Sequence, residues 1–179
     1  MSTAAVTTGF FGKIPATGDF VASGLPRNFI DRWDRWMSRE LQARPDEGEL
    51  DSRIWRFMVP AGIFCDQPCA GAWRMSEDRV GRRYPFAVVM VGVVPEPADA
   101  WFDAAAAIVY GAVAEKRKQP WIAEGIAELP QSEQNLGTPP LVFWVDDWEV
   151  QELGFADIYD LAAYGLPAMR AARTQTTEL

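Results

Sequence analysis

Two short stretches carry the residues best placed to handle charge. The first, "GFFGKIPATGDF" (9–20), sets Gly12-Lys13 inside a glycine- and phenylalanine-rich run. A phosphate-cradling loop needs Gly-Lys followed by a Ser or Thr hydroxyl for magnesium, running straight into a helix. Here Ile14-Pro15 follows, and Pro15 holds Ile14 in extended conformation where that helix would have to begin. The nucleotide reading is therefore set aside. The second stretch, "SEDRVGRRYP" (76–85), places Ser76, Asp78, Arg79, Arg82 and Arg83 around Gly81. Guanidinium groups this close together can grip a phosphate or carboxylate bidentately. They can equally belong to a solvated turn whose arginines pair with the protein's own acids, at about 0–1 kcal/mol each. Spacing alone leans towards the turn.

Other chemistry is narrowed by what the chain contains. It has no histidine, which removes Ser-His-Asp and Cys-His constellations and histidine-ligated metals. Its two cysteines, Cys65 and Cys69, sit in "CDQPC". Two thiols without further Cys or His do not complete a structural zinc site, and C-x3-C is not the redox C-x-x-C spacing. They are expected as reduced thiols beside a turn, with no metal and no cofactor. A net charge of −8 argues against a general nucleic-acid binder or a partner for anionic membranes. No run reaches about 18 uninterrupted apolar residues, so no membrane insertion is expected. A cytoplasmic location follows as the expectation.

The elements that must position these groups read as a single domain over 6–165, with a frayed tail at 166–179. Residues 6–14 have strand character, and "PATGD" ends them as a turn. Pro26 opens a helix in which Phe29, Ile30, Trp33, Trp36, Met37 and Leu41 share one face. Short apolar runs at 53–59, 62–66 and 71–75, separated by Pro/Gly-containing turns, read as strands of an antiparallel meander. The run 84–94 is apolar without alternation, as expected of a strand covered on both faces. A second helix spans "PEPADAWFDAAAAIVYGAVAEKRKQ", with Trp101, Phe102, Ala105, Ile108, Val109, Ala112 and Val113 as its buried stripe and Lys116, Arg117 and Lys118 at its carbonyl end. A short helix at 121–128, a strand at 141–145 and a short helical stretch at 156–164 complete the reading. The fold class is α/β: a largely antiparallel central sheet of five or six strands, flanked by helices on both faces as a three-layer αβα sandwich.

Taken together, "GFFGKIPATGDFVASGLPRNFIDRWDRWM" and the later "MSEDRVGRRYPFAVV" resemble the type VI secretion-associated protein TagF family, also called ImpM. The first family motif maps to Gly9, Phe11, Gly12, Lys13, Pro15, Gly18, Asp19 and Phe20, then Leu25, Pro26, Trp33 and Trp36. The second maps to Ser76, Asp78, Gly81, Arg82, Tyr84 and Pro85. The resemblance runs over roughly residues 9–146 and fades beyond. It implies a non-enzymatic regulator that restrains type VI secretion after translation, by contact with a forkhead-associated (FHA) scaffold protein.

On that reading the glycines of 9–20 let an aromatic strand turn tightly against the Trp-bearing helix, and Asp19 caps a turn or accepts from an arginine. Arg79, Arg82, Arg83, Ser76 and Asp78 are the residues expected at the partner surface. The competing reading is a small phospho-ligand-binding or hydrolytic enzyme using Lys13, Asp19, Asp78 and Arg82. A pocket joining the two motifs would favour it. Homo-oligomerisation stays open on sequence grounds.

Overall fold

A computed structural model of the chain describes residues 5–42, 50–132, 137–145 and 151–152. Strands β1 (Thr7–Lys13), β2 (Phe20–Ser23), β3 (Trp55–Val59), β4 (Cys69–Glu77), β5 (Arg83–Val91), β6 (Val142–Val145) and β7 (Gln151–Glu152) form one sheet. Its order is β2-β1-β5-β4-β3-β6-β7, and every neighbouring pair is antiparallel. Helix α1 (Arg27–Gln42) covers one face, and α2 (Ala100–Val113) with α3 (Gln119–Ala127) covers the other. The antiparallel three-layer α/β architecture thus stands as expected. Six strands have four residues or more, and the two-residue β7 extends the β6 edge. Among the described residues no helix is long and apolar enough to cross a membrane.

Burial on both sides explains the apolar run of β5. Phe86, Val88 and Met90 enter the core beneath α2, whereas Ala87, Val89 and Val91 enter the core beneath α1. The two cores differ in kind. The α1 side is aromatic: Trp33 is fully buried and its ring lies 5.2–6.3 Å from those of Phe29, Trp36, Phe57, Phe64 and Trp73. The α2-side core includes Ala70 and Ala72 of β4 and Ala105 and Ala112 of α2, small side chains that let helix and sheet approach closely. Asp99 caps α2 by accepting from the Trp101 amide at 2.8 Å.

Glycine is required where β1 crosses its neighbours. A Cβ on Gly9 would lie 2.0 Å from the Ser23 carbonyl oxygen, and one on Gly12 would lie 2.0 Å from that of Pro85. Gly12 also has φ +140, a backbone angle that L side chains rarely adopt.

Three expectations are corrected. Residues 62–66 form no strand, because Gly62 at φ +93 turns the chain and its N–H bonds the Cys65 carbonyl at 2.7 Å. That turn drops Phe64 and Cys65 into the α1-side core. The second helix stops at Val113 rather than running through the basic residues. Lys116 takes φ 55 and the Arg117 amide folds back onto the Gly111 carbonyl at 3.0 Å, so 114–118 is the turn into α3. Strand β2 follows the turn at 15–19, where no strand was expected. The helical stretch at 156–164 and the tail at 166–179 lie outside the described residues.

Because Trp33 anchors the aromatic core, Trp33→Ala is expected to cost about 3–5 kcal/mol. Tyr110→Ala, at a half-exposed position on α2, should change stability by no more than about 0.5 kcal/mol. Urea denaturation of both variants at constant m-value checks the pair.

Candidate functional site

The two motifs meet at one carboxylate. Asp78 opens the turn between β4 and β5, and its side chain is fully buried. Oδ2 accepts from Lys13 Nζ at 3.1 Å and from Arg82 Nε at 2.8 Å. Oδ1 accepts from the backbone amides of Val80 and Arg82, both at 2.9 Å. The turn closes on itself through Asp78 N–H to the Arg82 carbonyl and Gly81 N–H to the Asp78 carbonyl, each 3.0 Å. Gly81 at φ +90 is what allows the reversal. Burial pushes the Asp78 carboxyl up, but its donors outweigh that. The Arg82 amide, the Lys13 ammonium, the Val80 amide and the Arg82 guanidinium together hold it well below the usual carboxylate range.

A second set of bonds fastens this turn to the one after β1. Arg82 Nη2 donates to the Gly18 carbonyl, and the Arg79 amide donates to the Thr17 carbonyl at 2.8 Å. The Lys13 ammonium sits 4.9 Å from the centre of the Phe20 ring, which stacks on Phe11 at 5.5 Å and meets the edge of Tyr84 at 4.8 Å. Tyr84 in turn donates its hydroxyl to Asp34 Oδ1 on α1 at 2.8 Å. Burial and that acceptor push the Tyr84 phenol up. One polar unit therefore ties β1, β5, both turns and α1 together.

This arrangement redistributes the expected roles. Lys13, Asp78 and Arg82 come together. Asp19 does not join them, because its Oδ1 accepts from its neighbour Phe20 N–H at 2.8 Å and no arginine bond to it is present among the described residues. Two residues expected at a partner surface are instead inside: Ser76 is fully buried and Asp78 is 4% exposed. They are buried because the carboxylate must be surrounded by its donors and the β4 ladder continues to Glu77. Arg83 is turned towards Glu77, with Nε to Oε1 at 2.9 Å.

What faces solvent is Arg79, Val80 and part of Arg82, with Phe20 alongside. Val80 is 73% exposed and Phe20 44%. Val80 drew no attention in the sequence, since a single valine in a polar turn carries no periodic signal. Asp34 was missed because its partner lies 50 residues away.

The groups that could hold a ligand are limited. Lys13 and Arg82 direct their charge at Asp78 rather than at an open cleft. A cavity of about 350 Å³ lies elsewhere, on the α2 side, lined among others by Val6, Met90, Trp101, Ile126 and Leu129. It contains no residue of either motif. Among the described residues, no three His, Cys, Asp or Glu side chains are grouped to hold a metal ion.

Comparison with known proteins bears on the same region. The family model described as TagF N-terminal domain, type VI secretion system-associated, matches residues 9–129. The crystal structure of PA0076 from Pseudomonas aeruginosa PAO1 is similar to this chain with a TM-score of 0.62 and 26% sequence identity, over 90% of this chain and 77% of that one. Comparison with curated proteins returns no significant match. The family match takes in both motifs and α1, α2 and α3, and it ends before β6.

The depressed acidity of Asp78 fixes a pH dependence. A carboxyl with a folded value below its ordinary 3.8 stabilises the fold above that ordinary value, and this contribution is lost as pH falls towards the depressed one. The stability difference between the parent protein and Asp78→Asn should therefore be constant between about pH 5 and pH 8 and shrink below about pH 4. Urea midpoints across that range test it. A difference that persists undiminished in acid contradicts the assignment.

Proposed function

This chain belongs to the family of TagF N-terminal domains, associated with type VI secretion systems, and on that premise we propose that it is a non-enzymatic repressor of secretion. It acts in the cytoplasm after translation, by binding an FHA-domain scaffold component of the apparatus. The observation that carries this reading is the exposed knuckle at Arg79-Val80, braced from within by Asp78. A rigid turn offering one guanidinium, one aliphatic side chain and the neighbouring Phe20 face has the composition of a small contact surface: an apolar centre with a cationic rim. The chain is strongly acidic overall, so exposed Arg79 marks this corner out electrostatically and suits an acidic surface on the scaffold.

The non-enzymatic part of the reading is supported by the state of the residues the competing reading needs. Lys13, Asp78 and Arg82 neutralise and orient one another, and a substrate phosphate would have to displace a carboxylate held by four donors. Asp19 stands apart from them. Buried networks of this kind commonly order a turn rather than perform chemistry.

The test is binding of the purified chain to the purified FHA-domain scaffold of the same secretion system, paired with a secretion assay in cells overproducing the chain. Binding and reduced secretion are expected. Arg79→Glu should leave stability within about 0.5 kcal/mol of the parent and weaken the complex by about 2 kcal/mol or more. A variant that folds, binds and represses like the parent moves the partner surface away from this knuckle. A parent chain that does not bind the scaffold at all overturns the choice of partner.

A further inference from the structure

The turn before β4 holds the protein's two thiols against each other. Cys65 Sγ lies 4.0 Å from Cys69 Sγ, and both sulfurs approach the Gln67 carbonyl, at 3.2 and 3.8 Å. The two positions differ in freedom. Cys69 is the first residue of β4 and is paired on both sides, with Val59 and with Val91. Cys65 sits in the 62–68 turn between partly exposed Ile63 and exposed Asp66, and is itself 2% exposed. A disulfide needs sulfurs about 2.05 Å apart. Because Cys69 is held in the sheet, the remaining distance is closed from the Cys65 side, in the turn. No role in the motif site uses either thiol.

We propose that Cys65 and Cys69 form a reversible disulfide on exposure to peroxide, with Cys65 as the attacking sulfur and Cys69 as the resolving one. In the first step the Cys65 thiolate attacks one peroxide oxygen. An S–O bond forms, the O–O bond breaks, and hydroxide leaves. In the second step Cys69 sulfur attacks the Cys65 sulfenic acid. The S–S bond forms, the S–O bond breaks, and water leaves with the Cys69 proton. Two thiols have then lost two electrons to one peroxide. A dithiol reductant attacks one sulfur of the bridge, the S–S bond breaks, and closure of the reductant's own disulfide returns both protein thiols.

The surroundings suit these roles. The hydrogen bond from Cys69 pulls the Cys65 thiol down to about 7, and the same partner together with burial pushes Cys69 up. Arg32, whose Nη1 donates to the Gly62 carbonyl at 3.2 Å, adds a positive charge at the turn, while burial and the neighbouring Asp66 carboxylate oppose the thiolate. The shared hydrogen bond thus favours the thiolate at Cys65 and the proton at Cys69, the arrangement the two steps use. The consequence is local: the bridge pins the turn that carries Phe64, whose ring packs on Phe29, Trp33 and Trp36.

The experiment exposes the reduced protein to hydrogen peroxide, blocks remaining thiols with N-ethylmaleimide after denaturation, and reads the product by mass spectrometry. The expected product is monomeric, has lost two hydrogens, takes up no maleimide, yields a linked Cys65–Cys69 peptide, and regains both thiols with dithiothreitol. Its melting temperature should exceed that of the reduced protein, and its rate of formation should rise as pH is carried through about 7. In Cys69→Ser, dimedone should trap a sulfenic acid on Cys65, whereas Cys65→Ser should leave Cys69 unmodified. Retention of both thiols under peroxide that oxidises a free cysteine peptide overturns the proposal. So does a product consisting only of sulfinic or sulfonic acids, or only of intermolecular dimers. Dimedone labelling of Cys69 in Cys65→Ser overturns the assignment of roles.

Discussion

A buried carboxylate cannot be left short of donors, and the architecture around Asp78 follows from that constraint. Removing a charge from water costs several kcal/mol, which a single ion pair seldom recovers. Here the compensation is distributed: two backbone amides of its own turn, an ammonium from β1 and a guanidinium from the far side of the turn. The amides require the chain to reverse within a few residues, which sets Gly81 at positive φ. The ammonium requires β1 to run beside β5 with Lys13 at its end, next to the β4–β5 turn. Arg82 must then reach past Asp78, and its remaining donor finds Gly18. Four features that look separate in the sequence are thus consequences of one group being buried.

The glycines of β1 belong to the same geometry. With Gly9 against the Ser23 carbonyl and Gly12 against that of Pro85, β1 lies closer to its neighbours than any side chain allows. That closeness brings Phe11, Phe20 and Tyr84 into ring contact and places Lys13 where Asp78 can use it. The resemblance of Gly12-Lys13 to a phosphate loop is therefore a coincidence of residue types. The glycine clears a strand crossing, and the lysine answers a carboxylate on the protein itself.

Most of the element pattern was legible because it depends on local rules. Helix α1 announces itself by Pro26 and a stripe at helical spacing, and β5 by an apolar run too long for a half-exposed strand. Three features escaped for physical reasons. A four-residue edge strand such as β2 has too few positions to show alternation. The 62–66 segment has strand-like composition, but its Gly62 conformation is chosen by what Phe64 must bury against. The end of α2 was overestimated because basic residues complement a helix C-terminus whether they lie within the last turn or just beyond it. At the site, the competing reading grouped Lys13, Asp19, Asp78 and Arg82, and the structure gathers all of these but Asp19. The Lys13–Asp78 ion pair itself was not legible, because a contact between residues 13 and 78 obeys no spacing rule.

Helix α1 is the element shared by everything that distinguishes this protein. Asp34 receives the Tyr84 hydroxyl from the motif side, and Arg32 bonds Gly62 in the cysteine turn. Between them Trp33 fills the aromatic core. A path of contacts thus exists from the thiols to the Arg79-Val80 knuckle. Contact alone does not transmit a signal, since coupling needs an element with two alternative positions. Trp33, wedged among five other rings, gives α1 one well-defined seat, and close-packed interiors do not slide continuously. Closing Cys65 onto a sulfur already 4.0 Å away calls first on the 62–68 turn, since Cys69 is paired on both sides in the sheet. As proposed, oxidation acts on how readily the 62–68 turn opens, while the partner surface is assigned to the turn that Asp78 ties together.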